Sequence, residues 1–153
     1  MSELNTFAQD GKFEFATFVL DEIVFGINIK EIKEINSDLT LTSVPNACSS
    51  VAGVHNLRGD IVTVLNLRTL FGLDPIPYTS RTRNLIVSTE AEDVGLVVDE
   101  VLNVIHANYS DIEEALMNIA GVDSALINGV YKTEDTFVVL LNVNEVIQVE
   151  VLV

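Results

Sequence analysis

A weak internal repeat is the feature that most constrains how this chain folds. At a shift of 76 positions the following pairs match without a gap: Gly53-Val54 on Gly129-Val130, Val62 on Val138, and Leu65-Asn66 on Leu141-Asn142. At a shift of 69 positions a second match lays Phe25-Gly26-Ile27 on Val94-Gly95-Leu96. Two matches in the same order, at shifts that differ by a loop length, predict a pair of related structural units.

Both units have the residue pattern of short β-strands. Valine, isoleucine and leucine recur in runs of strand length, separated by turn-forming residues. We predict strands at 13–19, 23–29, 32–35, 53–57 and 61–67, and then at 84–88, 94–99, 101–105, 125–132 and 136–143. Each unit then has about five strands, as a small barrel or a curled sheet, with the apolar faces of the two units meeting.

Breaks in this pattern predict the domain organisation. Short helical segments are expected at 68–71, at 144–147 and at 110–118, where Ser110 and Glu113 have the spacing of a capping box. The prolines at 75 and 77 mark a boundary between lobes. We predict a polar tail at 1–12, one domain at 13–148 with lobes at about 13–73 and 84–148, and a tail at 149–153.

Charge and hydropathy narrow the possible partners. The chain has 23 acidic and 8 basic residues and a net charge of −15, which repels nucleic acid and anionic membrane surfaces. No apolar run approaches the ~18–20 residues of a membrane-spanning helix, and the first residues lack the features of a secretory signal. We therefore expect a cytoplasmic protein with no nucleic-acid partner and no direct membrane contact.

Residues that carry out catalysis or bind metals do not form a recognisable pattern. The sequence contains no phosphate-binding loop, no dinucleotide fingerprint, no zinc-protease motif and no nucleophile elbow. We interpret His55 and His106 as ordinary half-buried side chains, and Cys48 as a small side chain rather than a nucleophile. The expected protein is not an enzyme and has no cofactor and no metal site.

Arg58 is the one polar residue for which two interpretations remain open. It follows an apolar strand and precedes Gly59, where the backbone can turn sharply. In the first, it forms a local ion pair with a carboxylate such as Asp60, or a hydrogen bond to the neighbouring lobe. In the second, it is an exposed anchor for a partner, since arginine is enriched among binding hot spots.

The residues around Arg58 also carry a family resemblance. The run that resembles the signature of the CheW family of chemotaxis coupling proteins is Gly53-Val54-His55-Asn56-Leu57-Arg58-Gly59-Asp60-Ile61-Val62, followed by Val64-Leu65-Asn66-Leu67-Arg68. The chain departs from the family pattern at Thr63, where proline is common, and at Asn66, where aspartate is common. The resemblance extends from about Phe15 to Ile147.

The resemblance implies both a fold and a function. The fold is mainly β: two five-stranded SH3-like barrel lobes packed on a shared hydrophobic core, with a few short helices. The function is that of a free-standing, non-enzymatic adaptor. It couples the cytoplasmic tips of chemoreceptors to the regulatory domain of a CheA-type histidine kinase, in receptor arrays at the inner face of the membrane.

The resemblance also implies the binding residues. Ile32, Arg58, Gly59 and Val104 match the family's coupling surface, and Asn56 and Leu57 complete the motif. Apolar residues would take up a receptor helix while Arg58 fixes its register. For Ile32 and Val104 a role in the core is an equal alternative.

Three other functions remain open. The first is an adaptor of another chemosensory system, such as pilus motility. The second is a small β-barrel ligand-binding protein or enzyme, suggested by His55 near Arg58. The third is an assembly protein that associates through exposed strand edges, suggested by the apolar residues 149–153.

Overall fold

Strands dominate residues 11–151, the part of the chain that the computed structural model describes. The strands of the first half are β1 (Lys12–Leu20), β2 (Ile23–Asn28), β3 (Ile32–Asn36), β4 (Val51–Leu57) and β5 (Asp60–Asn66). Those of the second half are β6 (Arg83–Ser88), β7 (Asp93–Val98), β8 (Glu100–Asn108), β9 (Ile112–Glu113), β10 (Ile127–Lys132) and β11 (Phe137–Leu141). Two short helices, α1 (Leu67–Leu70) and α2 (Val143–Val151), each follow a hairpin.

These strands form two sheets. The six-stranded lobe has the order β8-β1-β2-β11-β10-β9, and the five-stranded lobe has the order β3-β6-β7-β5-β4. Neighbouring strands are antiparallel except for the parallel pairs β2–β11 and β5–β7. The predicted mainly β fold is confirmed. The sixth strand, β9, adds only two paired residues to the expected five.

The repeat is present, but the lobes do not follow the two halves of the chain. The hairpin β1–β2 lies beside β10–β11 of the second half, while β3, β4 and β5 share a sheet with β6 and β7. The predicted division at residues 73 and 84 therefore does not separate the sheets. The two halves exchange strands, because each parallel pair joins a strand of one half to a strand of the other.

The two lobes nevertheless match residue by residue. Phe15 pairs with Asn28 in the six-stranded lobe, and Asn84 pairs with Val97 in the five-stranded lobe, each at the shift of 69. Equivalent glycines, Gly26 and Gly95, stand where strands pack closely. A Cβ at Gly26 would lie 2.8 Å from the Phe15 ring, and one at Gly95 would lie 2.5 Å from Asn84 Oδ1. Neither position therefore has room for a side chain.

A shared hydrophobic core joins the lobes, as predicted. It contains residues of both sheets, such as Phe18 and Phe25 from the six-stranded lobe and Leu85 and Leu96 from the five-stranded lobe. Helix α2 adds to it through Val143, Val146 and Ile147, which are buried. A second, smaller cluster fills the interior of the six-stranded lobe: Phe13, Phe15, Ala107, Val138 and Leu140.

Each helix makes polar contact with the opposite lobe, through residues at equivalent positions of the repeat. Arg68 on α1 is buried and lies 2.6 Å from the carboxylate of Asp99 and 3.6 Å from that of Asp21, in the β1–β2 turn. Asn144 on α2, 76 positions later, accepts a hydrogen bond of 3.2 Å from the backbone N–H of Glu90 in the β6–β7 turn. The helices therefore act as reciprocal clamps between the lobes.

One predicted element is wrong. Residues 110–118 do not form a helix: a 3₁₀ turn at Tyr109–Asp111 leads into β9, and the rest is irregular. The side chains of Leu116 and Met117 are 83% and 72% exposed, so a helix here would gain no apolar packing to offset its ordering cost. At the ends, β1 begins at Lys12 and α2 continues to Val151, within the predicted tails; residues 1–10 and 152–153 lie outside the described residues.

Candidate functional site

The motif residues Asn56, Leu57, Arg58 and Gly59 form the tip of the β4–β5 hairpin. Leu57 pairs with Asp60, so Arg58 and Gly59 make a two-residue turn. Their φ angles of 52° and 94° are both positive, as a type I′ turn requires. The backbone N–H of Gly59 donates a 3.0 Å hydrogen bond to Asn56 Oδ1, which fixes the turn.

Arg58 forms an ion pair with Glu34 on β3, and not with Asp60. Its two terminal nitrogens, Nη1 and Nη2, lie 3.3 Å and 2.8 Å from the two carboxylate oxygens of Glu34. Strand β3 is at one edge of the five-stranded sheet and β4 is at the other. The contact therefore closes the curled sheet at this end, between residues that are 24 positions apart in sequence.

This ion pair changes the acidity of both groups. The hydrogen bond from Arg58 lowers the pKa of the Glu34 carboxyl below its usual value, and the same bond raises the pKa of Arg58. The neighbouring pair Lys33–Asp93, at 2.7 Å, has the same effect: the hydrogen bond from Lys33 lowers the pKa of Asp93. Glu34 and Asp93 thus stay ionised beside their cationic partners.

Arg58 is held in place and still accessible. Its side chain is 71% exposed, whereas that of Glu34 is 27% exposed. An exposed ion pair of this kind adds little to stability, because solvent screens the attraction. Its main consequence is to orient the guanidinium, while most of the Arg58 side chain stays exposed.

An exposed apolar residue lies three positions after this arginine in the same hairpin. Ile61, the second residue of β5, is 66% exposed, while Leu57 is half-buried. Arginine is enriched among the residues that carry binding energy at interfaces, and the same hairpin also exposes an isoleucine. The sequence had placed Ile61 inside a strand without indicating its exposure.

The structure places the other two predicted binding residues on different sheets. Ile32 begins β3, is partly buried and packs against the shared core. Val104 lies on β8, an edge strand of the six-stranded lobe, and is 40% exposed. The core alternative thus fits Ile32 in part, and it does not fit Val104.

The repeat identifies a residue that the sequence reasoning missed. At the shift of 69, Ile32 is equivalent to Val101, and both pack against the shared core. Val104 is equivalent to Ile35, which is 43% exposed on the edge strand β3. Extending the shift from Phe25 to Ile35 would have shown this pairing. No sequence pattern pointed to Glu34, because it meets Arg58 only when the two edges of the sheet approach each other.

Other reactive side chains do not gather around the hairpin tip. His55 is buried, with Nδ1 at 3.4 Å from the carbonyl oxygen of Thr40, and His106 lies at 3.6 Å from the carboxylate of Glu14. Within residues 11–151 no three His, Cys, Asp or Glu side chains are arranged to hold a metal ion. None of the helices within these residues is long and apolar enough to span a membrane.

Comparison with known proteins gives consistent matches along the chain. The sequence model of the CheW-like domain family matches residues 14–151. The chain is similar to the chemotaxis protein CheW of Treponema pallidum, with 28% identity over 140 residues, 89% of this chain and 82% of that protein. It is also similar to the protein PilI of Pseudomonas aeruginosa, with 28% identity over 109 residues, 71% of this chain and 61% of that protein.

A solved structure matches as well. The crystal structure of the scaffolding protein TtCheW from Thermoanaerobacter tengcongensis superimposes with a TM-score of 0.82 and 28% sequence identity. The match covers 88% of this chain and 91% of that one.

Proposed function

Because this chain belongs to the CheW-like domain family, we propose that it couples chemoreceptors to a CheA-type histidine kinase, as an adaptor that makes and breaks no covalent bond. The chain is a chemotaxis scaffolding protein of this family. The two partners, the residues that bind them and a cytoplasmic location at receptor arrays are the proposal.

The observation that carries the proposal is the Arg58–Glu34 pair at the hairpin tip. The bidentate contact holds Arg58 in one orientation while most of its side chain stays accessible. A residue that is ordered before binding loses less conformational entropy when a partner arrives. Arg58 is therefore suited to be the anchor of a docking surface, and Asn56, Leu57 and Gly59 hold the turn that presents it.

The exposed apolar residues of the edge strands supply the second part of the surface. Ile35 on β3 and Val104 on β8 are each about two-fifths exposed, and Ile32 and Val101 lie at the start of the same strands against the core. We assign Ile32, Ile35 and Val104 to the contact with an amphipathic receptor helix, whose apolar face needs such residues.

The expected interface is small and exchangeable. Ile35 and Val104 are each exposed over only about two-fifths of their surface. Such interfaces bind weakly one at a time and gain strength when many are linked in an array. This suits a scaffold whose partners are held together by repetition.

The test is autophosphorylation of a CheA-type kinase in the presence of receptor cytoplasmic fragments. We compare no adaptor, the wild-type chain, Arg58→Ala and the matched control Arg81→Ala. Arg81 is a suitable control because its side chain is 74% exposed, close to the value for Arg58, and lies 3.9 Å from Glu100. We expect coupling by the wild type and by Arg81→Ala, and roughly thirtyfold weaker coupling by Arg58→Ala, from a hot-spot loss of about 2 kcal/mol.

A second variant separates orientation from folding. Glu34→Gln keeps the shape of the side chain but removes the charge that orients Arg58, so we expect a smaller loss of coupling than with Arg58→Ala. Denaturant midpoints of all variants provide the folding control. Equal coupling by Arg58→Ala and the wild type would refute the anchor role, and no effect of the wild type on kinase activity would refute the coupling function.

An adaptor of another chemosensory system is the second candidate. The specific observation is the similarity to PilI over 71% of this chain. The measurement is a binding competition between kinases from a flagellar and a pilus-associated system. Preference for the latter would favour this candidate.

A further inference from the structure

The edge strands β3 and β8 are both interrupted at the same point of the repeat. The pairing of β3 with β6 shifts register around Lys33, and the pairing of β8 with β1 shifts register between Val101 and Val104. A bulge of this kind re-aims a side chain and is common beside functional sites. At the shift of 69, the two bulges present one equivalent pair of side chains, Lys33 and Leu102.

These side chains adjoin the apolar residues already assigned to the docking surface. Ile35 follows Lys33 by two positions on β3, and Val104 follows Leu102 by two positions on β8. Leu102 is 42% exposed, close to the values for Ile35 and Val104, and more than half of the Lys33 side chain is exposed. The surface therefore continues by one residue on each strand.

The two strands differ in chemistry at this position. On β3, the ammonium of Lys33 lies 2.7 Å from the carboxylate of Asp93, and Arg58 is close enough for its charge to act on Lys33. On β8, Leu102 and Val104 are both hydrocarbon. Removing a leucine from water is favourable, whereas removing a charged pair from water costs free energy. Apolar groups of a partner therefore gain most on β8.

We propose that Leu102 contacts the receptor helix and that the difference between Leu102 and Lys33 divides the docking surface into two halves. The apolar face of an amphipathic helix lies on β8, and its polar flank runs along Lys33 and Arg58. This inference rests on the proposed coupling to receptors. Such a helix fits because its apolar stripe is bordered by polar residues, which leave the Lys33–Asp93 pair in contact with water or polar groups.

The experiment measures the affinity of the full chain for the cytoplasmic tip fragment of its chemoreceptor, from the fluorescence anisotropy of the labelled fragment. Leu102→Lys places a charge in the apolar half and should weaken binding at least tenfold. Leu102→Ser, a milder change, should weaken it about threefold. Lys33→Leu alters only the polar border of the helix and should change the affinity by less than about threefold.

An exchange variant tests the division itself. Lys33→Leu combined with Leu102→Lys has the composition and the net charge of the wild type, but its leucine and its lysine have changed halves. If the apolar face of the helix is held on β8, this variant should remain at least tenfold weaker than the wild type.

Matched controls make the same substitutions elsewhere. Leu116→Lys changes an exposed leucine that follows β9, at the other edge of the six-stranded sheet. Lys132→Leu removes an exposed lysine that is also paired with a carboxylate, that of Glu113 at 3.1 Å. Both controls should bind the fragment as tightly as the wild type. Because all the substituted side chains are largely exposed, we expect every variant to unfold at the wild-type denaturant midpoint.

Three results would overturn the inference: wild-type affinity in Leu102→Lys, equal weakening by Leu116→Lys, or recovery of wild-type affinity in the exchange variant. Recovery would mean that only the number of apolar residues matters. If the wild-type chain does not bind the fragment, receptor coupling fails and the inference fails with it. If Arg58→Ala weakens binding and Leu102→Lys does not, the proposed function stands and the division of the surface is wrong.

Discussion

The two lobes share a strand order but differ in what fills their interiors. In the six-stranded lobe the rings of Phe13 and Phe15 lie 5.4 Å apart, and those of Phe15 and Tyr131 lie 5.5 Å apart in an edge-to-face contact. At the shifts of 69 and 76, the equivalent residues of the five-stranded lobe are Thr82, Asn84 and His55, all buried. An aromatic cluster in one lobe thus corresponds to a polar cluster in the other.

Asn84 shows how a polar residue in the interior lowers the stability of the five-stranded lobe. It is fully buried, and its side-chain nitrogen and oxygen have no hydrogen-bond partner among the described residues. A buried polar group without a partner costs about 1–3 kcal/mol. We infer that the six-stranded lobe contributes more of its own stability, and that the lobe with Arg58 and Glu34 depends more on the shared core.

The largest expected effect tests the aromatic interior. Phe15→Ala removes a ring that packs against Phe13, Tyr131 and the strand around Gly26. We expect the free energy of unfolding to fall by about 3–5 kcal/mol, since the ring leaves a cavity in a packed interior. Denaturant unfolding of the wild type and the variant measures this difference in free energy. If the free energy of unfolding falls by less than about 1 kcal/mol, the aromatic interior does not make the six-stranded lobe the more stable one.

The next effect tests the clamp between the lobes. Arg68→Met keeps the length of the side chain but leaves the partly buried carboxylate of Asp99 without its cation. We expect a loss of about 3 kcal/mol, measured by the same unfolding experiment. Asn144→Ala, at the equivalent position, should cost only about 1 kcal/mol, because it removes one neutral hydrogen bond. Equal losses would mean that the two clamps are equivalent in energy as well as in position.

The polar interior gives a smaller effect. Asn84→Ala removes two buried polar atoms together with their packing, so relief of the desolvation cost offsets much of the cavity cost. We expect the free energy of unfolding to change by less than about 1 kcal/mol. A loss as large as that of Phe15→Ala would show that Asn84 stabilises the five-stranded lobe as strongly as the ring stabilises its counterpart.

The smallest effect concerns the exposed ion pair. Because the hydrogen bond from Arg58 lowers the pKa of Glu34 below its ordinary value of 4.5, the pair adds stability above that pH and loses it as the pH falls through the lower, folded-state pKa. In Arg58→Ala, carboxyl NMR titration should find the pKa of Glu34 raised towards 4.5. Asp93, which is held by Lys33, is the control and should not move. An unchanged titration of Glu34 would contradict the contact.

Local features of the molecule were predictable from sequence, and contacts distant in the chain were not. The β4–β5 hairpin and the turn after Leu20 follow from alternating apolar residues and turn formers within a few positions. The predicted helix at 110–118 failed because its capping pattern was not supported by a face that could be buried. The sequence could not predict the partner of Arg58, because Glu34 meets it only when the two sheet edges approach.

The sequence by itself determined the repeat, the strand positions and the residue-by-residue equivalence of the lobes, since these depend on side-chain alternation and on glycines such as Gly26 and Gly95. Only the tertiary structure decided which copy of each strand enters which sheet. Backbone hydrogen bonds are the same for either copy, so they do not specify a partner. The choice is made where β2 meets β11 and β5 meets β7, by packing on a core that both halves share.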